Sequence, residues 1–216
     1  STWWRVYGSP EFINNAFVYA NRYMPANIAL FYNDYNAYQP NKAKGILNLI
    51  RNVQATPGSR IDGMGMQAHY FCEDTNPTME AVKKAATDYG KLVDQVQFTE
   101  IDFKGSTGPK DEQLAKRYKD LYDTVRRLIE EGTNVTGFTI WGVVDKHSWL
   151  QTANGAGGGS NGNSKQYPLL FDNNYKAKPA FYALCNAGEL EPEIRNVSMV
   201  QDIEGYNAGE YYSFKE

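Results

Sequence analysis

Apolar residues recur along this chain in two alternating rhythms. After Ser9-Pro10-Glu11, which reads as an N-cap, a proline at the first helical position and an acid in the first turn, Ile13, Ala16, Phe17 and Ala20 follow at helical spacing. Ile28 to Tyr32 is a short apolar run ending in the polar cluster Asn33-Asp34-Tyr35-Asn36, as in a buried strand that delivers polar groups at its carboxyl end. A helical stripe of Ala43, Ile46, Leu47, Ile50 and Val53 comes next, then a strand over Gly63 to His69. Asn76-Pro77 caps a helix bearing Met79, Val82, Ala86 and Tyr89, and Val96 to Thr99 reads as a third strand. Asp111 starts a longer helix whose stripe of Leu114, Tyr118, Leu121, Val125 and Leu128 steps by four and three, and Gly132 ends it. Val135 to Trp141 predicts a fourth strand, and Ala180 to Cys185, behind Pro179, a last helix.

The order is a helix followed by four strand–helix units at similar spacing, which favours a parallel sheet with right-handed crossovers. Such a set is either half of an eight-stranded barrel or a small open sheet. A complete barrel needs about 250 residues, more than the 216 present. The segment from Asn154 to Ser164 is too rich in glycine to pack and is expected to be a mobile loop, while 188–216 shows weak periodicity and takes no assignment.

Composition narrows the function classes. Hydrophobic residues at 42% and charged residues at 22% describe a globular chain, and a net charge of −3 leaves no basic face for nucleic acid. No run of about 18 apolar residues predicts a membrane span, and an export signal, if the protein is secreted, lies upstream of Ser1. Cys72 and Cys185 stand far apart without metal-ligand spacing and read as packing residues; no metal or cofactor is expected. Sequons at Asn134 and Asn196 are short enough to arise by chance and carry no functional weight.

Four strands end in groups able to react or bind: Asn33 to Asn36, Gln67 to His69, Thr99 to Asp102, and Trp141 with Asp145 to Trp149. In a parallel βα fold all these ends open on one face, where active sites are built. Glu100, at the end of an apolar strand, could attack an anomeric carbon if a second carboxylic acid protonates the leaving oxygen. It could equally begin a loop or cap a helix. His69 alone reads as a satisfied structural residue, Gln67 as an outward polar one, and Trp141 and Trp149 as core or as a platform for sugar rings.

The succession Phe31-Tyr-Asn-Asp-Tyr-Asn36, Ile61-Asp-Gly-Met-Gly-Met-Gln-Ala-His69, Phe98-Thr-Glu-Ile-Asp102, Thr139-Ile-Trp-Gly-Val-Val-Asp-Lys-His-Ser-Trp149 and Leu170-Phe-Asp with Lys178-Pro-Ala-Phe181 resembles the family 10 glycoside hydrolases, the endo-β-1,4-xylanases. The motifs occur in family order up to about Cys185. The resemblance implies the last four βα units of a (β/α)8 barrel over 1–187, followed by a tail over 188–216. It implies retaining hydrolysis of xylan by an extracellular enzyme, with Glu100 as nucleophile, His69 hydrogen-bonded to it, and Asp102 behind His69. Gln67 then lies near the reacting sugar, Trp141 and Trp149 wall the sugar before the cleaved bond, and Tyr35 and Asn36 face the leaving group.

One departure stands out. The family's acid/base glutamate follows an asparagine upstream of the helix near Pro10, and no Asn-Glu pair stands there; Glu73, Asp34 and Asp145 are carboxylates that do not match that motif. The acid/base residue is therefore expected in an N-terminal half-barrel. A half-barrel alone would leave two sheet edges and an apolar interior uncovered, seeking that half or a second copy. The rival readings are a non-catalytic carbohydrate-binding or structural half-barrel, and a related barrel glycosidase acting on cellulose or mixed glucans.

Overall fold

A computed structural model describes residues 2–151 and 165–185. The glycine-rich segment and the tail beyond Cys185 lie outside the described residues. The elements in chain order are α1 (Thr2–Tyr7), α2 (Glu11–Tyr23), β1 (Phe31–Asp34), α3 (Pro40–Ala55), β2 (Gly63–Met66), β3 (His69–Phe71), α4 (Met79–Gly90), β4 (Gln95–Lys104), α5 (Glu112–Glu130), β5 (Val135–Ile140) and α6 (Pro179–Cys185). Every strand pairing is parallel. Both β2 and β3 pair with β4, at Met66↔Phe98 and His69↔Asp102, so they are two parts of one strand line interrupted at Gln67-Ala68. The sheet thus has four lines in sequence order, β1, then β2 with β3, then β4, then β5.

The helical stripes pack as their spacing requires. Ile46, Ile50 and Val53 of α3, Val82, Ala86 and Tyr89 of α4, and Leu114, Tyr118, Leu121, Val125 and Leu128 of α5 are all buried. Against them lie Met64, Met66, Val96, Phe98, Ile101 and Phe103 from the outer face of the sheet. Asp111 caps α5, accepting hydrogen bonds from the amides of Gln113 and Leu114, while α4 is capped by Thr78 rather than Asn76.

Four boundaries differ from the sequence reading. An additional helix, α1, precedes the one expected first. The strand β1 begins later than Ile28 and takes in Asn33 and Asp34, which places those polar groups on the sheet rather than after it. The second strand is split, because Ala68 adopts φ 64°, a left-handed conformation that costs a non-glycine residue about 1–2 kcal/mol. The third runs to Lys104, so Glu100 and Asp102 sit within β4 and not behind it. The register of β4 shifts against β5 between Phe98 and Ile101, a bulge at Thr99-Glu100. Buried positions accordingly change from Val96 and Phe98 to Ile101 and Phe103, and the open-face positions from Gln95 and Gln97 to Glu100, Asp102 and Lys104.

The open face of the sheet is more polar than expected of an apolar interior. The Gln97 amide donates to Thr136 Oγ1, Thr136 donates to Gln95 Oε1, and Thr99 donates to Asn33 Oδ1. Close pairing of these side chains depends on Gly65, where a Cβ would fall 2.6 Å from Asn33 Oδ1.

Candidate active site

Each strand line contributes at its carboxyl end to one cavity of about 490 Å³, lined by Tyr35, Asn36, Gln67, His69, Glu100, Lys104, Trp141 and Trp149. All the residues singled out from the sequence meet there except Asp102, which lies directly beneath. The volume suits a few sugar rings.

The centre is a continuous hydrogen-bonded chain across three strand lines. Asn33 Nδ2 donates to Glu100 Oε1 at 2.9 Å, and His69 Nε2 stands 3.1 Å from Glu100 Oε2. His69 Nδ1 lies 2.9 Å from Asp102 Oδ1, and Trp149 Nε1 donates to Asp102 Oδ2 at 2.7 Å. The two imidazole nitrogens thus meet two carboxylates, an arrangement that the doubly protonated ring satisfies with a donor at each nitrogen. Burial alone would push the His69 pKa down; hydrogen bonding to and the charge of Asp102, then of Glu100, outweigh it and the net direction is upward. The register explains the stacking: His69 pairs with Asp102 across adjacent strands, Glu100 shares the face of Asp102 two residues on, and the bulge turns both to the open face.

Aromatic walls stand on either side. Trp149 packs on the His69 ring at a centroid distance of 4.8 Å, and Trp141 approaches it edge-on at 6.3 Å. Trp141 is 45% exposed, whereas Trp149 is tied down through its indole N–H. Opposite, Tyr35 is exposed and held from behind: the Lys42 ammonium sits 4.5 Å from its ring centre and pairs with Asp34 at 2.9 Å. Asn36, in the left-handed region at φ 53°, turns the chain out of the cavity floor.

Of the carboxylates considered as alternatives, Asp34 is committed to Lys42, the Tyr32 hydroxyl and the Tyr35 amide. Asp145 is fully buried, taking both of its oxygens to Lys178 and accepting from the Leu169 amide. It anchors the turn that carries Trp149 onto the segment 165–178, and Gln151 Nε2 donates to its carbonyl. Glu73 is exposed and does not line the cavity. Among the described residues lining the cavity, Glu100 is the carboxylate. Two residues of the site were not among the sequence candidates: Asn33, visible only as one of four polar residues in a row, and Lys104, which nothing in the sequence marked. No group of His, Cys, Asp or Glu that could hold a metal ion occurs among the described residues.

The profile described as Glycosyl hydrolase family 10 matches residues 1–187. An endo-1,4-beta-xylanase of Geobacillus stearothermophilus is 33% identical over 196 residues, covering 86% of this chain and 56% of that protein. Endo-1,4-beta-xylanase A of Thermotoga neapolitana is 32% identical over 220 residues, covering 97% and 19%. Among solved structures, a psychrophilic family 10 endo-beta-1,4-xylanase superposes with TM-score 0.69 at 36% identity, over 85% of this chain and 53% of that one. The xylanase 10B of Clostridium thermocellum complexed with xylohexaose gives 0.71 at 33% identity, over 86% and 34%. The chain thus spans about half the length or less of these relatives.

Proposed function

Because the chain belongs to glycosyl hydrolase family 10, we propose that its cavity serves endo-hydrolysis of β-1,4-xylosidic bonds in xylan, with Glu100 as the nucleophile. The observation that carries this reading is the fixed carboxylate of Glu100, held by Asn33 on one oxygen and His69 on the other, between Trp141 and Tyr35 on one strand-end face. A carboxylate so held is oriented before substrate arrives, and no reorganisation is needed as it attacks. Glu100 would form a glycosyl ester with the anomeric carbon while the glycosidic oxygen leaves as an alcohol, and water would then release the sugar with its configuration retained. The leaving oxygen needs a proton from a second carboxylic acid about 5–5.5 Å from the first. The described lining supplies Glu100 alone, so the acid and the strands that grip the glycone are proposed to come from the rest of a (β/α)8 barrel, outside residues 1–187. His69, Asp102 and Trp149 are positioning residues in this scheme, and Gln67, Asn36 and Tyr35 contact the sugars. A secreted enzyme fits a polymeric substrate; no helix among the described residues is long and apolar enough to cross a membrane.

The test is proton NMR of xylohexaose hydrolysis by the protein carrying a complete barrel. First-formed β-anomer that later mutarotates supports double displacement, whereas first-formed α-anomer would falsify the nucleophile assignment. The absence of a second acid from the described lining favours one other reading, a carbohydrate-binding half-barrel without catalysis. Hydrolysis by the complete barrel also distinguishes the two.

A further inference from the structure

Lys104 is the one member of the cavity lining with no place in the scheme above. It ends β4, paired in register with Phe71 of β3, one step further out along the strands than the His69–Asp102 pair. Two residues along a strand advance about 7 Å, so Lys104 stands that far beyond Asp102 along β4, and further still beyond the proposed nucleophile Glu100, in the same cavity. Its Nζ rests 3.9 Å from the centre of the Phe71 ring, which holds the side chain in place without neutralising it. Among the described residues its ammonium makes no ion pair and no hydrogen bond, whereas Lys42 and Lys178 at the same end of the fold are both paired with carboxylates. Partial burial lowers its pKa, with the charge of Asp102 acting in the opposite direction. A partly buried cation facing a sugar cleft without a direct counter-ion is matched best by an anionic ligand. Neutral xylosyl units offer hydroxyls, which a lysine can satisfy weakly; a carboxylate offers the charge that is lacking.

Resting on the xylan reading of the site, we propose that Lys104 is a specificity-determining residue that binds the carboxylate of an acidic substituent, a uronic acid branch, on the xylan chain. A Lys–carboxylate contact that is partly shielded from water strengthens binding by about tenfold. It also fades with added salt less than an exposed pair would.

The experiment compares two ligands by calorimetry on the chain joined to the remaining strands of a family 10 barrel, with Glu100→Gln in every sample so that neither ligand is hydrolysed and with wild type referring to position 104: linear xylotetraose and the same oligosaccharide bearing one glucuronosyl branch. The wild-type chain is expected to prefer the branched ligand by about tenfold. In Lys104→Met the ratio of the two affinities should fall to about one, and in Lys104→Arg it should stay near the wild-type ratio. An unchanged ratio in Lys104→Met, or no preference in the wild type, overturns the assignment of Lys104 while leaving xylooligosaccharide binding intact. Failure of the wild-type chain to bind either ligand, with its circular dichroism showing it folded, overturns the sugar-cleft reading and the assignment together.

Discussion

Glu100 owes its usefulness to its neighbours, and the sharpest expectations concern them. Replacing Glu100 by Gln keeps the shape and one acceptor but removes the carboxylate proposed as nucleophile. In a complete barrel, hydrolysis should vanish while xylooligosaccharide affinity stays within about threefold, since the lost role belongs to the transition state. A rate close to wild type would rule out the nucleophile assignment. For His69, the raised folded-state pKa sets the direction of pH dependence. Charge on the imidazole contributes stability that is fully present below its ordinary pKa of about 6.5 and is lost as pH rises through the raised folded value. NMR titration should place the His69 midpoint above 6.5, and Asp102→Asn should bring it down. A midpoint unmoved by Asp102→Asn contradicts the network. Trp149 and Trp141 separate cleanly: Trp149→Phe keeps a ring but leaves the buried Asp102 oxygen without its donor, and should cost about 1–3 kcal/mol in urea unfolding. Trp141→Ala, at a half-exposed position, should weaken xylooligosaccharide binding several-fold with little effect on stability.

At the scale of elements, the site is held by parts that do not line the cavity. The buried Arg117 of α5 donates to the carbonyls of Phe71 and Pro77, tying the end of β3 to the start of α4. Tyr118, next to it, donates to the carbonyl of Pro168 and fixes the segment that closes behind β4. The Asp145–Lys178 pair does the same for the turn bearing Trp149. Lys178→Met should cost about 3–5 kcal/mol, because the buried Asp145 would lose its counter-charge and keep only the Leu169 amide on one oxygen. The double replacement Asp145→Leu with Lys178→Met should recover most of that loss. Denaturant melts of the three proteins decide it; additive losses would mean that the pair is not the source of the effect.

For the whole molecule, the proposed need for a second carboxylic acid and the exposed apolar residues point the same way. Trp3, Trp4, Val6 and Tyr7 of α1 and Tyr19 and Tyr23 of α2 are exposed, and clustered apolar side chains in water mark a surface suited to a partner. We expect the 216-residue chain alone to release no reducing sugar from xylan and to self-associate in sedimentation velocity. Joined to the remaining strands of a family 10 barrel, it should hydrolyse xylan and become monodisperse. Cleavage by the isolated monomer would show that the second acid lies within these 216 residues.

Pattern alone determined the helical stripes, the parallel order of the strands and the set of strand ends that share a face, because burial imposes a period of 3.6 on helices and of two on strands. The stripe from Leu114 to Leu128 was legible residue by residue for that reason. Family resemblance supplied the roles of Glu100, His69 and Asp102, which spacing left open. Only the tertiary structure decided how those residues meet. A bulge at Thr99-Glu100 is a change of phase by one residue, invisible in composition, yet it turns Glu100, Asp102 and Lys104 together to the open face that carries Gln95 and Gln97. The strained Ala68 splits a strand that reads as continuous, and brings His69 opposite Asp102. Asn33 and Lys104 acquire meaning from partners 67 and 33 residues away, Glu100 and Phe71, and such pairings depend on register between strands, which no local pattern in the sequence encodes.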